Sequence, residues 1–212
     1  MAKTKAELRK AMRGVLNAIT KEERTRQSSA IFNKVIKHPK YISSNLISIF
    51  LGKNNEIDTS PILRHALEVG KKRCFIPMIG QVTDKPKSST RMLMVELSSM
   101  KEFDDLPLNQ YGIKEPIRTD INQYKVADPV DGPHLDLALV PGVAFSMDGR
   151  RLGHGKGYYD EYLTGWKRLC ERGALYSIGL AFNEQIVQDP MAVEAHDYKL
   201  DEVLTEGKGL FI

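Results

Sequence analysis

Leu135-Asp136-Leu137-Ala138-Leu139-Val140-Pro141-Gly142 is an apolar run closed by a turn pair, and a short distance on stands Arg151-Leu152-Gly153-His154-Gly155-Lys156-Gly157-Tyr158-Tyr159-Asp160. The first segment reads as a buried strand. The second alternates three glycines with a histidine and a lysine, then opens a helix-spaced run in which Tyr158, Tyr162, Trp166 and Cys170 recur at i, i+4. Strand, glycine-rich turn and helix start is a layout that cradles phosphate. Glycines let the backbone approach the anion, the first N–H groups of the helix point at it, and a lysine adds a full charge. Gly157 follows Lys156 where a Walker A loop has Ser or Thr, and the G-x-G-x-G spacing is not the dinucleotide fingerprint. Spacing alone therefore defines an anion site.

The whole chain, at 212 residues, is long enough for a substantial core. Its 42% hydrophobic and 27% charged residues are those of an ordinary globular protein. Formal charge is 31 − 27 = +4, with the basic residues scattered, so no nucleic-acid tail is expected. Two distant cysteines, Cys74 and Cys170, suggest free thiols in a reducing compartment, and no apolar run approaches a membrane span. The basic N-terminus has no hydrophobic stretch, and its acidic Glu7, Glu22 and Glu23 argue against a transit peptide. These features point to a cytoplasmic protein.

Working outward, residues 3–19 read as an amphipathic helix with Leu8, Met12, Val15, Leu16 and Ile19 on one side. Lys5, Arg9 and Arg13 form a basic rail beside them, either a solvated face or an anion clamp. Thr20 and Glu23 make a capping box for a second helix, which His38-Pro39 ends. Leu46–Leu51 suits a central strand covered on both faces, and it runs into a polar loop carrying Glu56. Thr59 or Ser60 caps a helix with Pro61 in its first turn and Gly70 at its end. Cys74–Ile76 is a strand closed by Pro77, residues 81–90 a loop, and Arg91–Leu97 a third strand. A short helix is expected near Ser99–Asp104, then an ordered excursion to residue 134. A fifth strand follows at 174–181, a short helix at 183–187 and a short strand at Val203-Leu204. Strands separated by helices imply one α/β domain over residues 1–212, three-layered, with a mostly parallel sheet covered by helices on both faces.

Lys156 and Arg151 can neutralise phosphate oxygens, one as a point charge and one as a planar fork. Asp160 sits where a magnesium-binding carboxylate would approach the same phosphates, or where it merely complements the helix dipole. The histidines show no zinc-ligand spacing, and neither Ser nor Cys lies in a nucleophile elbow. Two classes of function are open on these residues: a kinase or sugar-phosphate enzyme, and a non-catalytic RNA- or nucleotide-binding module, the latter suggested by the basic rail and a pI near 8.9.

The run Pro141–Phe145, Gly149 and Arg151–Asp160 resembles the signature of the 5-formyltetrahydrofolate cyclo-ligase family, the methenyltetrahydrofolate synthetases. Lys5–Arg9 is similar to the family's N-terminal nucleotide segment, Phe50-Leu51 with Glu56-Ile57 to its folate loop, and Asp197 with Asp201–Val203 to its last motif. His154 stands where many members carry arginine. The resemblance implies ATP-dependent conversion of 5-formyltetrahydrofolate to the 5,10-methenyl form through a phosphorylated formyl group. It implies ATP contacts from Lys5, Arg9 and Arg151, Leu152, Gly153, His154, Gly155, Lys156, Gly157, Tyr158 and Tyr159, with Lys156 and Arg151 catalytic. Folate contacts fall to Arg9, Leu51, Glu56, His154, Gly155, Lys156, Gly157 and Tyr158, and magnesium to Asp160 and Asp197. Small molecules are the expected partners of a monomer.

Overall fold

In the computed structural model, residues 4–52, 55–82, 89–109, 112–116, 124–129, 132–169, 175–188, 191, 194, 197–207, 210 and 211 are described. Helix α1 (Lys5–Ala18) opens with a capping box: Thr4 accepts the Glu7 N–H, and Glu7 accepts from the Thr4 backbone. Helix α2 (Lys21–Val35) is capped by the Thr20 hydroxyl, but Glu23 turns to Arg26 and Gln27 and does not complete the expected box. A short helix α3 (Pro39–Ser43) starts just beyond, because His38 accepts the Lys40 N–H through Nδ1 and Pro39 suits a first helical turn.

The main sheet takes β1 (Leu46–Ser48), β2 (Arg73–Val82), β3 (Ser89–Leu97), β4 (Leu137–Val140), β7 (Tyr176–Leu180), β9 (Glu202–Leu204) and β10 (Leu210–Phe211). Their spatial order is β10-β9-β7-β4-β1-β2-β3. Pairs β1–β2, β1–β4, β4–β7 and β7–β9 are parallel, and only the two outer pairs are antiparallel. Alternation along the central strands separates two cores. Leu137 and Leu139 face Leu16, Ile31 and Ile62, whereas Ala138 and Val140 face Leu163 and Trp166 of α6 (Tyr158–Leu169). The expected three-layer α/β architecture is thereby present.

Three local readings need correction. Pro77 does not close its strand: β2 pairs with β3 from Cys74↔Leu97 to Val82↔Ser89. The Met94 carbonyl accepts from Ala127 on the far side of β3, so Pro77 occupies a non-hydrogen-bonded position of the ladder where no N–H is required. Residues 81, 82, 89 and 90, read as loop from their polarity, belong to this hairpin, since a backbone ladder needs no apolar side chains. Residues 183–187 are a 3₁₀ turn (Asn183–Gln185) followed by β8 (Ile186–Val187). That strand joins β5 (Ala144–Ser146) and β6 (Arg151–Leu152) in a second sheet of order β6-β5-β8. Helix α5 (Met100–Asp105) forms as expected, capped by Ser99. Gly173, a residue type suited to stopping the helix that begins at Tyr158, lies outside the described residues.

Topology places a crevice. From β1 the chain moves to β2 and β3 on one side, then returns to put β4 on the other side of β1. Open parallel sheets bind ligands outside the carboxyl ends of strands at such a reversal. The loops leaving β1 and β4 carry Glu56 and the glycine stretch.

Candidate active site

The loop after β1 is pinned at both ends. The Thr59 hydroxyl donates to the Phe50 carbonyl at 2.5 Å, leaving Asp58 to accept the Ser60 N–H, so Thr59 is not the side-chain cap its sequence suggested. Ile57 is fully buried and anchors the loop in the core. Glu56 emerges with its side chain 7% exposed and meets His154 Nε2 at 3.2 Å. Leu51 packs beside it against the same core.

The glycine stretch is shaped by its backbone. Gly155 has φ +98° and Gly157 φ +72°, conformations that side chains rarely adopt, and the Arg9 guanidinium lies 3.5 Å from where a Cβ on Gly155 would sit. Arg9 Nε also donates to the Gly153 carbonyl at 2.8 Å. The basic rail of α1 thus divides: Lys5 and Arg9 converge on the glycine stretch, and Arg13 is solvent-exposed. Lys156 projects into solvent and has no hydrogen bond or ion pair among the described residues.

Arg151 departs from the open phosphate fork its type suggested. Its side chain is 4% exposed, with Nη2 2.9 Å from Asp160 and Nη1 donating to the Pro141 carbonyl at 3.3 Å. The guanidinium stacks over Tyr159, and its Nε is buried without a partner. Burial, reinforced by the Glu56 carboxylate and opposed by Arg151, pushes the Tyr159 hydroxyl far up, so it stays protonated. Asp160, in the first turn of α6, also accepts the Tyr198 N–H at 3.4 Å.

One residue away, Asp197 receives Lys5 Nζ on both oxygens, at 2.7 and 2.8 Å, with Glu194 at 3.1 Å. Burial works against the Lys5 charge, yet the hydrogen bonds it donates to Asp197 and Glu194 outweigh it and raise the ammonium's pKa, so it stays charged beyond its ordinary range. This 192-residue contact had no sequence signal beyond the separate motifs, and Glu194 was missed altogether. His196 lies outside the described residues.

Asp160 accepts from Arg151 and from the Tyr198 N–H, and Asp197, the residue before Tyr198, accepts from Lys5, so each carboxylate already faces a cation. Among the described residues no three potential metal-binding groups converge. Two carboxylates suit magnesium when phosphate oxygens and water complete its shell. Positive-φ glycines, unpaired Lys156 and the orphan Arg151 Nε likewise fit a polyphosphate.

Fold and site together describe an α/β protein with a glycine-rich, basic loop at a sheet reversal. Its sequence matches the model of the 5-formyltetrahydrofolate cyclo-ligase family over residues 1–206, and the chain belongs to that family. It is 38% identical to a probable 5-formyltetrahydrofolate cyclo-ligase of Caenorhabditis elegans over 96% of this chain and 93% of that protein. It is 39% identical to the mouse 5-formyltetrahydrofolate cyclo-ligase over 94% and 92%. The solved 5,10-methenyltetrahydrofolate synthetase of Aquifex aeolicus superposes with a TM-score of 0.72 at 25% identity, covering 98% of this chain and 92% of that one. The protein is an enzyme of this family.

Proposed function

We propose that the protein, as one domain and a monomer, closes 5-formyltetrahydrofolate to 5,10-methenyltetrahydrofolate at the expense of ATP. The observation that carries this reading is the convergence of α1, the glycine stretch, Asp160, Asp197 and Glu56 on one crevice. A formyl amide oxygen is a poor leaving group. It attacks the γ-phosphorus of ATP, the bond to the β-phosphate oxygen breaks, and ADP leaves. Nitrogen 10 of the resulting iminium phosphate then attacks the formyl carbon and loses its proton. Phosphate departs with the carbon–oxygen electron pair as the methenyl bridge forms.

Phosphoryl transfer needs alignment and charge neutralisation more than a covalent residue. Backbone at Gly153–Gly157 with Arg9 cradles the phosphates, Lys5 and Leu152 hold the nucleotide side, and Lys156 swings onto the transferred group. Arg151 works from beneath, fixing Asp160 and Tyr159. Magnesium, when bound, neutralises phosphate oxygens, and Asp160 and Asp197 would hold it after exchanging their present cations. Glu56 accepts pterin N–H groups while Leu51, His154 and Tyr158 bound the ring. Ring closure is intramolecular, and positioning of this sort contributes up to about 7–11 kcal/mol of barrier reduction. No helix among the described residues is long and apolar enough to span a membrane. We place the enzyme in the cytoplasm, although a relative in Arabidopsis thaliana, 33% identical, is named mitochondrial.

The test combines purified protein, magnesium-ATP and 5-formyltetrahydrofolate and follows the methenyl product by near-ultraviolet absorbance. Product formation that requires ATP is expected, and its absence overturns the reading. Lys156→Ala should lose most of its turnover with unchanged circular dichroism.

A further inference from the structure

Across the crevice the β1 loop and the glycine stretch touch through a pair of side chains 98 positions apart, Glu56 Oε1 and His154 Nε2, at 3.2 Å. The two partners are unequal. The Glu56 side chain is 7% exposed and that of His154 46%. Glu56 is held from behind, since Ile57 next to it is fully buried. His154 stands between Gly153 and Gly155, and its second ring nitrogen has no partner among the described residues. The carboxylate is therefore the fixed member of the pair and the imidazole the movable one.

A sheltered carboxylate costs free energy unless donors meet it. In the empty protein His154 is one such donor. Behind the pair, the Tyr159 hydroxyl is buried without a partner and feels the Glu56 charge, so a second donor stands near once the imidazole leaves. Pterin N–H groups arriving at Glu56 compete with His154 for the same oxygen. An imidazole that gives up Glu56 needs a new acceptor within its swing. The bends at Gly155 and Gly157, with positive φ, and the Arg9 guanidinium beside Gly155 put the phosphate cradle within that swing, so phosphate oxygens would supply the acceptor. Rotation about the His154 side-chain bonds makes the exchange without moving the glycine backbone.

Resting on the ATP and folate reading of the crevice, we propose that His154 couples the two substrates: it occupies the Glu56 carboxylate in the empty enzyme, and nucleotide phosphate draws it off, opening Glu56 to the pterin. His154 is in this respect a positioning residue that acts on the folate through Glu56. Such coupling is reciprocal, so bound folate tightens nucleotide by the same factor.

Calorimetric titration of the full chain with 5-formyltetrahydrofolate, alone and with magnesium and a non-hydrolysable ATP analogue, reads the coupling. Wild type should bind the folate about tenfold tighter with the analogue, the effect of one charge-assisted contact exchanged. In His154→Ala the folate alone should bind about as tightly as wild type does with the analogue, and adding the analogue should change its Kd by less than about twofold. His154→Asn, too short to span both acceptors, should behave as alanine does, whereas His154→Arg, a donor able to reach either, should restore the gain. A purely structural His154 would instead weaken folate in both conditions when replaced. A wild-type Kd indifferent to the analogue, or a full gain retained in His154→Ala, overturns the coupling alone. A wild-type enzyme that binds no 5-formyltetrahydrofolate in either condition and yields no methenyl product overturns the folate reading beneath it, and the coupling with it.

Discussion

At the scale of single residues, the site depends on atoms that have no freedom to be elsewhere. An alanine at 155 would hold φ near +98°, which costs about 1–2 kcal/mol or more for a residue with a Cβ, and would press the Arg9 guanidinium. Gly155→Ala should therefore raise KM for ATP on the order of tenfold, measured by steady-state kinetics, while lowering Tm by a few degrees. Glu56→Gln keeps the shape but not the charge facing His154, the charge proposed to receive the pterin N–H groups. It should weaken 5-formyltetrahydrofolate at least tenfold and leave nucleotide binding nearly unchanged, a split that separate titrations of the two substrates will show. Much of this was legible beforehand, because glycine spacing, Lys156 and Asp160 carry their chemistry in the order of letters. What the letters could not show was that Arg151 turns inward onto Asp160 and Pro141 rather than outward. A side chain's direction depends on the strand that carries it, and β6 has only two residues.

Elements were readable in proportion to their periodicity. Helices α1, α2 and α6 and strands β1 and β4 emerged from spacing and apolar runs, whereas the β2–β3 hairpin was cut short because Pro77 interrupts its run and its tip, with Gln81, Ser89 and Thr90, is polar. Pairing with a distant partner strand decides such cases, and no local window contains that information. Helix α1 carries Lys5 and Arg9 in its first two turns, so its cap is coupled to the site. Thr4→Ala should cost about 1 kcal/mol of stability and raise KM for ATP, with Thr4→Ser restoring both. Gly14→Ala, where a Cβ meets nothing within 4 Å, should stabilise the same helix by about 0.5–1 kcal/mol without touching KM. The hairpin offers an acid-side test. Arg73 holds Glu96 below its ordinary 4.5, burial opposing, so the contribution of this pair is complete above that value and fades as pH falls through the lowered one. Because the Arg73 side chain is 43% exposed, the contribution is about 0.5–1 kcal/mol, and Glu96→Gln should lose it at pH 7 and show less difference from wild type near pH 3 in urea titrations.

Across the whole molecule, the proposed nucleotide site draws on residues 5, 9, 151–160 and 197, which span almost the full chain. A ligand gripping all of them stabilises the cooperative unit by about 2.7 kcal/mol at a hundredfold excess over Kd. Magnesium-ATP should accordingly raise Tm by several degrees in scanning calorimetry, and chelation of magnesium should remove most of the rise. An unchanged Tm at saturating magnesium-ATP would argue against this assembly. The general α/β plan was visible in the sequence because strands and helices alternate, while the second small sheet of β5, β6 and β8 was not, since pieces of two or three residues leave no period to read.

The ion pair between Lys5 and Asp197 joins residues 192 positions apart. During synthesis, α1 leaves the ribosome long before its partner has been translated, and domains acquire such distant contacts last. A growing chain can thus form α1 and the strands β1 to β4 while Asp197, and with it the core residues Leu200, Val203 and Leu204, are still to come. Nucleotide binding by a chain still in synthesis is therefore expected only after residue 197 has emerged, and a nascent chain arrested at residue 190 should fail to retain magnesium-ATP where the full chain retains it.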